Sequence, residues 1–175
     1  MFLRISAAAY LILLVFATTA TAEARWRIGL NMASIHIDPQ RDFNQFNPGA
    51  FVSMVFGEGD RFEYGLQAGG YLNSYNQRTL YISSFSNWRI ASVGNVDIRA
   101  GGYLGLFEYP SIAEKAQTAG WPTVGNFVLA FGPNLKLRLE NGVDFTIGYL
   151  PGNSLKKANG VLTFQASIPF GRLSR

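Results

Sequence analysis

The sequence predicts an all-β fold, an eight-stranded antiparallel transmembrane β-barrel. Three observations lead there. From Trp26 onward apolar residues recur at every second position, the period of a strand with two unlike faces. Charged residues make up only 15% of the chain while glycine and aromatics are plentiful. The connectors between apolar segments alternate between short turns and long polar loops, as in outer-membrane barrels.

The alternation is clearest near the end, where Leu162, Phe164, Ala166, Ile168 and Phe170 interleave with Thr163, Gln165, Ser167 and Pro169. Tyr64, Leu66, Ala68, Gly70 and Leu72 form a second such face, and Val96, Ile98, Ala100, Gly102, Leu104 and Leu106 a third. Strands are expected over 26–36, 49–57, 62–73, 78–88, 95–107, 124–138, 143–150 and 160–170. The best of these runs reach the roughly 9–11 residues a tilted strand needs to cross a bilayer. Gly57–Arg61, Ile90–Gly94 and Glu140–Gly142 read as turns; Asp38–Asn47, Glu108–Pro122 and Pro151–Asn159 read as loops, with a brief link at Tyr75–Gln77. A soluble lipocalin-like barrel is the alternative, but it would need a polar outer face, and the face predicted to point outward is apolar. Trp26, Trp88, Trp121, Tyr64 and Tyr149 suit the membrane interfaces.

Ahead of the barrel stand Arg4, an apolar run from Ile5 to Phe16, and the small residues Ala17 to Ala22. These are the three parts of a secretory signal peptide, expected over 1–22 with cleavage after Ala22 or Ala24 and the barrel domain over 23–175. The run is shorter than the roughly 20 residues of a membrane helix; a single anchor is the alternative. With no cysteine, an exported chain must rely on packing or on a closed sheet. One histidine and no thiol argue against a zinc site, and no cofactor motif is present. The net charge of +4 is scattered, which disfavours nucleic acid. Lys156 and Lys157 lie in a glycine-flanked segment without phosphate-loop spacing, a solvated loop able to meet lipid phosphates.

If the chain starts in the periplasm, the outward-running strands begin with inward-facing charge: Arg27, Glu63, Asp97 with Arg99, and Asp144. Farther along, the same faces carry Gly29, Ala33, Gly69, Gly101, Gly105 and Gly148, with Tyr71, Tyr103 and Phe107. The periplasmic half is therefore expected to be plugged by paired charges, and the outer half to leave room for something apolar. Alternatively, the glycines let a narrow barrel close.

The candidate chemistry lies at the outer rim. His36, the only histidine, stands where the first strand enters its loop, and Asn73 and Ser74 stand where the third strand reaches the same rim. A serine hydroxyl beside an imidazole can support acyl transfer, and the Asn73 amide oxygen could fix the imidazole tautomer. Strict alternation puts His36 and Ser74 on the outward parity, so a bulge or strand end must turn them inward. Asp38, Asp42 and Glu108 are further rim acids.

These residues carry a resemblance to the PagP family, lipid A palmitoyltransferases of the outer membrane. Ile35-His36, then Arg41-Asp42-Phe43-Asn44 and Asn47-Pro48-Gly49, run as that family runs from its His through Arg-Tyr-Asn to Pro and Gly. Asn73-Ser74-Tyr75-Asn76 stands where the family has Asp-Ser-Trp-Asn, and Gly148-Tyr149-Leu150-Pro151-Gly152 resembles its Tyr-Ile-Pro-Gly. The resemblance implies an interior acyl pocket and transfer of a fatty acyl chain from phospholipid to lipid A, with His36 and Ser74 catalytic and Asn73 in the acidic position. It implies sideways lipid entry where prolines interrupt the ladder, with Pro48 and Pro133 near matching places. Its expected partners are outer-membrane phospholipid and lipid A, with a monomeric protein and no cofactor.

The chain also departs from the family. Asn replaces Asp at position 73, a change that in a serine triad can cost about 10⁴ in rate. Only a few residues lie between cleavage and the first strand, where the family has an amphipathic helix. Phe85 aligns with a glycine that sets pocket depth, which implies a shorter acyl chain, and Gly171 to Arg175 follow the final aromatic. Two other functions remain open: a non-catalytic lipid-binding or adhesive barrel, and a lipid A deacylase.

Overall fold

The computed structural model describes residues 25–59, 61–118, 120, 122–153 and 158–172. The expected signal segment, Trp121, Lys156 and Lys157 lie outside the described residues.

The strands are β1 (Arg25–Ile37), β2 (Phe46–Glu58), β3 (Phe62–Leu72), β4 (Arg78–Val93), β5 (Val96–Glu108), β6 (Thr123–Val124), β7 (Phe127–Leu139), β8 (Asp144–Asn153) and β9 (Ala158–Arg172). Neighbours pair antiparallel in the order β5-β4-β3-β2-β1-β9-β8-β7, and β5 pairs with β7. Eight long strands thus close into a ring; β6 is a two-residue ribbon added to the outer edge of β7. Closure matters because an open sheet edge has nothing to bond in hydrocarbon.

Three departures from the expected elements have local causes. β4 runs five residues past its expected end, through a register shift between Arg89 and Ala91, to a tight turn at Gly94 (φ 56°). The expected strand over 124–138 is split by a turn at Gly125 (φ 57°), which folds β6 back on β7. The long connector after β5 carries a helix, α1 (Pro110–Thr118). Proline suits a first helical turn, and Ala113 and Ala116 share a face that packs on Val128, Tyr109 and Ile112. A nine-residue helix is marginal alone and depends on such packing.

The two faces of the wall differ as the alternation predicts. Leu30, Leu80, Ile82, Phe131 and Phe170 each expose more than half their surface on the outside, an apolar girdle that fits lipid and not water. Phe62, Tyr64 and Trp88 cluster near the short turns, with Phe62 and Trp88 rings 4.7 Å apart, as an interfacial aromatic belt.

Inside, the lower half is filled by charge. Arg89, Arg99 and Lys136 are directly opposed across β4, β5 and β7, an arrangement of like charges that repels. Glu63, fully buried, answers it: its carboxylate accepts from Lys136 and, at 2.8 Å, from Arg138, and lies 3.9 Å from Arg99. Asp144 holds Arg138 at 2.7 Å and Arg27 at 3.1 Å. Arg27, Glu63, Arg99 and Asp144 are therefore inward and buried as expected, and Asp97 pairs with Arg99 and Arg89 at the rim of this knot. Lys136 and Arg138 were not anticipated as its members.

Above the knot lies Phe85, its ring 4.9 Å from the Lys136 ammonium, and above that a polar bridge crosses the lumen. Gln67 donates to Tyr81 Oη (2.6 Å), and Gln165 donates to Asn31 Oδ1 (2.7 Å), which also accepts from Tyr81. The outer half is aromatic, with Tyr81 stacked on Phe107 and the Tyr71 and Tyr109 hydroxyls 2.7 Å apart. Some of its glycines serve close approach: Phe51 pairs with Gly29 on one side and Gly69 on the other, and its side chain fills the space a Cβ would need at both. Even so, a cavity of about 170 Å³ remains, reaching from Lys136 to the outer mouth.

Glu63→Gln is expected to lower the unfolding free energy of the refolded barrel by about 3–5 kcal/mol, the scale for breaking a buried ion pair. The urea midpoint in micelles reads this directly; an unchanged midpoint would mean that the knot does not stabilise the barrel.

Candidate functional site

The outer mouth is shaped by a bulge. In β1 the pairing with β9 shifts by one residue between Asn31 and Ala33, making Met32 the extra residue. Below the shift Arg27, Gly29 and Asn31 point inward; above it Ser34 and His36 do, opposite Thr163 and Val161, while Ile35 and Ile37 face lipid. The parity that would have put His36 in the hydrocarbon is thereby reversed.

Ser74 reaches the same mouth from the link between β3 and β4, and both it and His36 wall the cavity. Its Oγ lies 3.1 Å from Ser34 Oγ, which in turn donates to Asn47 Oδ1 at 2.5 Å. The single proton of Ser34 is committed to Asn47, so Ser74 is the donor in its own bond. Asn47 is fixed by donating to the Leu72 carbonyl (3.0 Å). Ser34 and Asn47, both buried, escape sequence reasoning because their orientation depends on the bulge.

Asn73 is placed differently from the expected orienting residue. Its Oδ1 accepts from the backbone N–H of Tyr75 (2.9 Å) and Gln77 (3.1 Å), and its Nδ2 donates to Thr79 (2.9 Å). The amide thus shapes the turn that presents Ser74. His36 stacks flat on Phe43, centroids 4.0 Å apart, and its Nδ1 is buried with no hydrogen-bond partner among the described residues. Ser74 and His36 therefore share the mouth, with the serine hydrogen-bonded to Ser34.

Two features bound access. Helix α1 closes part of the mouth, with Tyr109, Ile112 and Ala116 lining the cavity. On the flank, β7 changes partner: it pairs with β8 from Arg138 up to Asn134, and with β6 at Phe127 and Val128. Pro133, which lacks an N–H, marks where the β8 ladder stops. There the Tyr149 carbonyl lies against Gly132, in space a Cβ would occupy. At Pro48 the ladder to β3 likewise ends, its last pair being Gly49 with Tyr71.

The sequence matches no family model and no curated protein. Among solved structures the chain is similar to Neisserial surface protein A, with 12% identity over 85% of this chain and 97% of that one and a TM-score of 0.43. It is also similar to the Yersinia pestis outer membrane protein Ail, with 11% identity over 85% and 99% of the two chains and a TM-score of 0.42. The closed ring with an apolar exterior is itself the architecture of bacterial outer-membrane proteins, and the chain is an outer-membrane β-barrel.

The bulge has a measurable signature. In a chain without cysteines, a nitroxide on Ile35→Cys is expected to be relaxed by oxygen dissolved in the bilayer, and one on His36→Cys to be shielded. Deleting Met32 is expected to exchange the two behaviours; identical accessibilities before and after the deletion would contradict the parity switch.

Proposed function

We propose that this barrel is a lipid acyltransferase that moves a fatty acyl chain from a phospholipid to lipid A, as its resemblance to the PagP family implies. The observation that carries the reading is the His36 imidazole. The bulge turns it into the lumen, where it lines the same cavity as Ser74, and it keeps a buried ring nitrogen with no hydrogen-bond partner among the described residues. A bare imidazole nitrogen at a hydroxyl-lined mouth is suited to accept a proton during acyl transfer.

In this reading an acyl chain enters the aromatic half of the lumen, and its ester rests at the mouth. Ser74 exchanges its bond to Ser34 for one to the imidazole, and its oxygen attacks the ester carbonyl as His36 takes the proton. The bond to the phospholipid glycerol then breaks and the proton passes to the departing alkoxide. A lipid A hydroxyl next gives its proton to His36 and attacks the acyl-serine; the acyl–Ser74 bond breaks and His36 returns the proton to Ser74, restoring its hydroxyl. Asn73 contributes by holding the turn of Ser74. The partner change at Pro133 offers lipid a sideways path, and Phe85 with the Gln67–Tyr81–Asn31–Gln165 bridge limits how deep a chain can lie. The protein acts as a monomer after loss of residues 1–22.

One observation favours a second reading, a non-catalytic lipid-binding barrel: the Ser74 hydroxyl is bonded to Ser34, and the Asn73 amide is committed to its turn.

Expression in bacterial outer membranes of the natural chain, His36→Ala and Ser74→Ala separates the readings. A gain of one acyl chain in lipid A mass is expected for the natural chain, with losses of at least about a hundredfold in both variants, the lower bound for removing a general base. Equal acylation by all three proteins would remove the acyltransferase reading. Absence of any mass change, with fatty acid retained by the purified barrel, would favour the binding reading, and mass loss a deacylase.

A further inference from the structure

The loop between β1 and β2 carries a cation, Arg41, that meets no acid among the described residues. The Arg41 guanidinium lies 4.4 Å from the centre of the Tyr75 ring and 4.9 Å from that of Phe43. Phe43 is the ring stacked on His36, and Tyr75 follows Ser74 and lines the cavity. Among the described residues no carboxylate lies within ion-pair distance of Arg41 and no side chain or carbonyl accepts from it. Asp38 and Asp42 are close in sequence, yet Asp38 accepts from Asn159 (2.9 Å) and neither pairs with Arg41.

The placement is built by the two loops. Asn44 N–H donates to the Ser74 carbonyl (3.2 Å), and Asn44 Nδ2 donates to Asn76 Oδ1 (2.8 Å). Ser34 N–H donates to the Gln45 carbonyl (2.8 Å). These ties hold Arg41 over Tyr75. Phe43 and Tyr75 meet edge to face at 5.7 Å, so the guanidinium rests on a fixed corner of two rings. Stacking of this kind orients a guanidinium while leaving its N–H groups free to donate. A planar donor fork is matched to the oxygens of a phosphate.

We propose that Arg41 is the headgroup-reading residue of the mouth: it binds the phosphate of a lipid whose acyl chain occupies the lumen, and so places that lipid's ester beside Ser74 and His36. The assignment rests on the lipid-handling reading above and adds to it the recognition element. It requires the ligand to be a phosphate-bearing amphiphile, with the anionic group at the rim and the chain below.

The single histidine gives a clean reporter. The refolded barrel in neutral maltoside micelles is titrated with a monoacyl glycerol phosphate, with the monoacyl glycerol of equal chain length, and with inorganic phosphate, while the His36 ring resonances are followed. The phosphate lipid is expected to shift them at about tenfold lower concentration than the neutral lipid, on the order of one charge-assisted contact. Arg41→Gln is expected to abolish this preference while leaving neutral-lipid binding in place, and Arg41→Lys to retain part of it. Equal binding of the two lipids by the natural protein, or an undiminished preference in Arg41→Gln, would overturn the proposal. Saturation by inorganic phosphate at the concentrations where the phosphate lipid acts would overturn its assignment to a lipid. Because the readout is binding, a barrel that transfers no acyl chain can still show the preference, which keeps the two failures apart.

Discussion

Three cations, Arg99, Lys136 and Arg138, share the carboxylate of Glu63, and the lower barrel depends on that sharing. In a ring of eight strands the lumen-facing positions of neighbouring strands are forced close together. Placing arginine opposite arginine and lysine there sets up a repulsion that acids must answer. Glu63 and Asp144 convert it into a cross-lumen tie joining β1, β3, β5, β7 and β8. A core of this kind replaces the apolar interior of a water-soluble protein, whose oily residues here face the bilayer. Once the lower half is sealed by charge, the outer half is free to be shaped as a cup, with aromatic walls and a polar floor.

Much of this was legible because alternation leaves a strong trace. Eight antiparallel strands between Trp26 and Phe170 were read in the right number, and Arg27, Glu63, Arg99 and Asp144 fell on the inner face by parity alone. Lys136 and Arg138 carry the same signal, interleaved with Leu135 and Leu137, yet they sit on an inward-running strand, where the charge comes at the end of the run and not at its start. What parity cannot supply is its own reversal. The bulge at Met32 has no sequence signature, so Ser34 was invisible and His36 stood on the wrong side until the register was known. Helix α1 was hidden for another reason: its residues favour a helix, but nine of them are too few to be helical alone, and the packing of two alanines on Val128 that sustains it is a tertiary contact.

The rim is assembled from parts that are mediocre alone. The Asn73 turn, the Asn44 ties between loops and the Ser34–Asn47 pair each fix a few atoms, and together they bring Ser74, His36 and Arg41 to one side of the opening. The amide at position 73 illustrates how a residue aligned with a catalytic acid can instead serve the backbone: its oxygen satisfies two N–H groups that a tight turn leaves exposed. Substituting a carboxylate there would preserve those acceptors and lose the donor to Thr79, so the turn itself does not dictate the choice.

The change of partner along β7 gives the molecule a front and a back. Around most of its circumference a lipid tail meets a continuous hydrogen-bonded wall, but beside Pro133 it meets a short stretch where backbone polarity is incompletely quenched. A nearly cylindrical protein thereby acquires a compass bearing in the plane of the membrane, one flank of its wall differing from the rest.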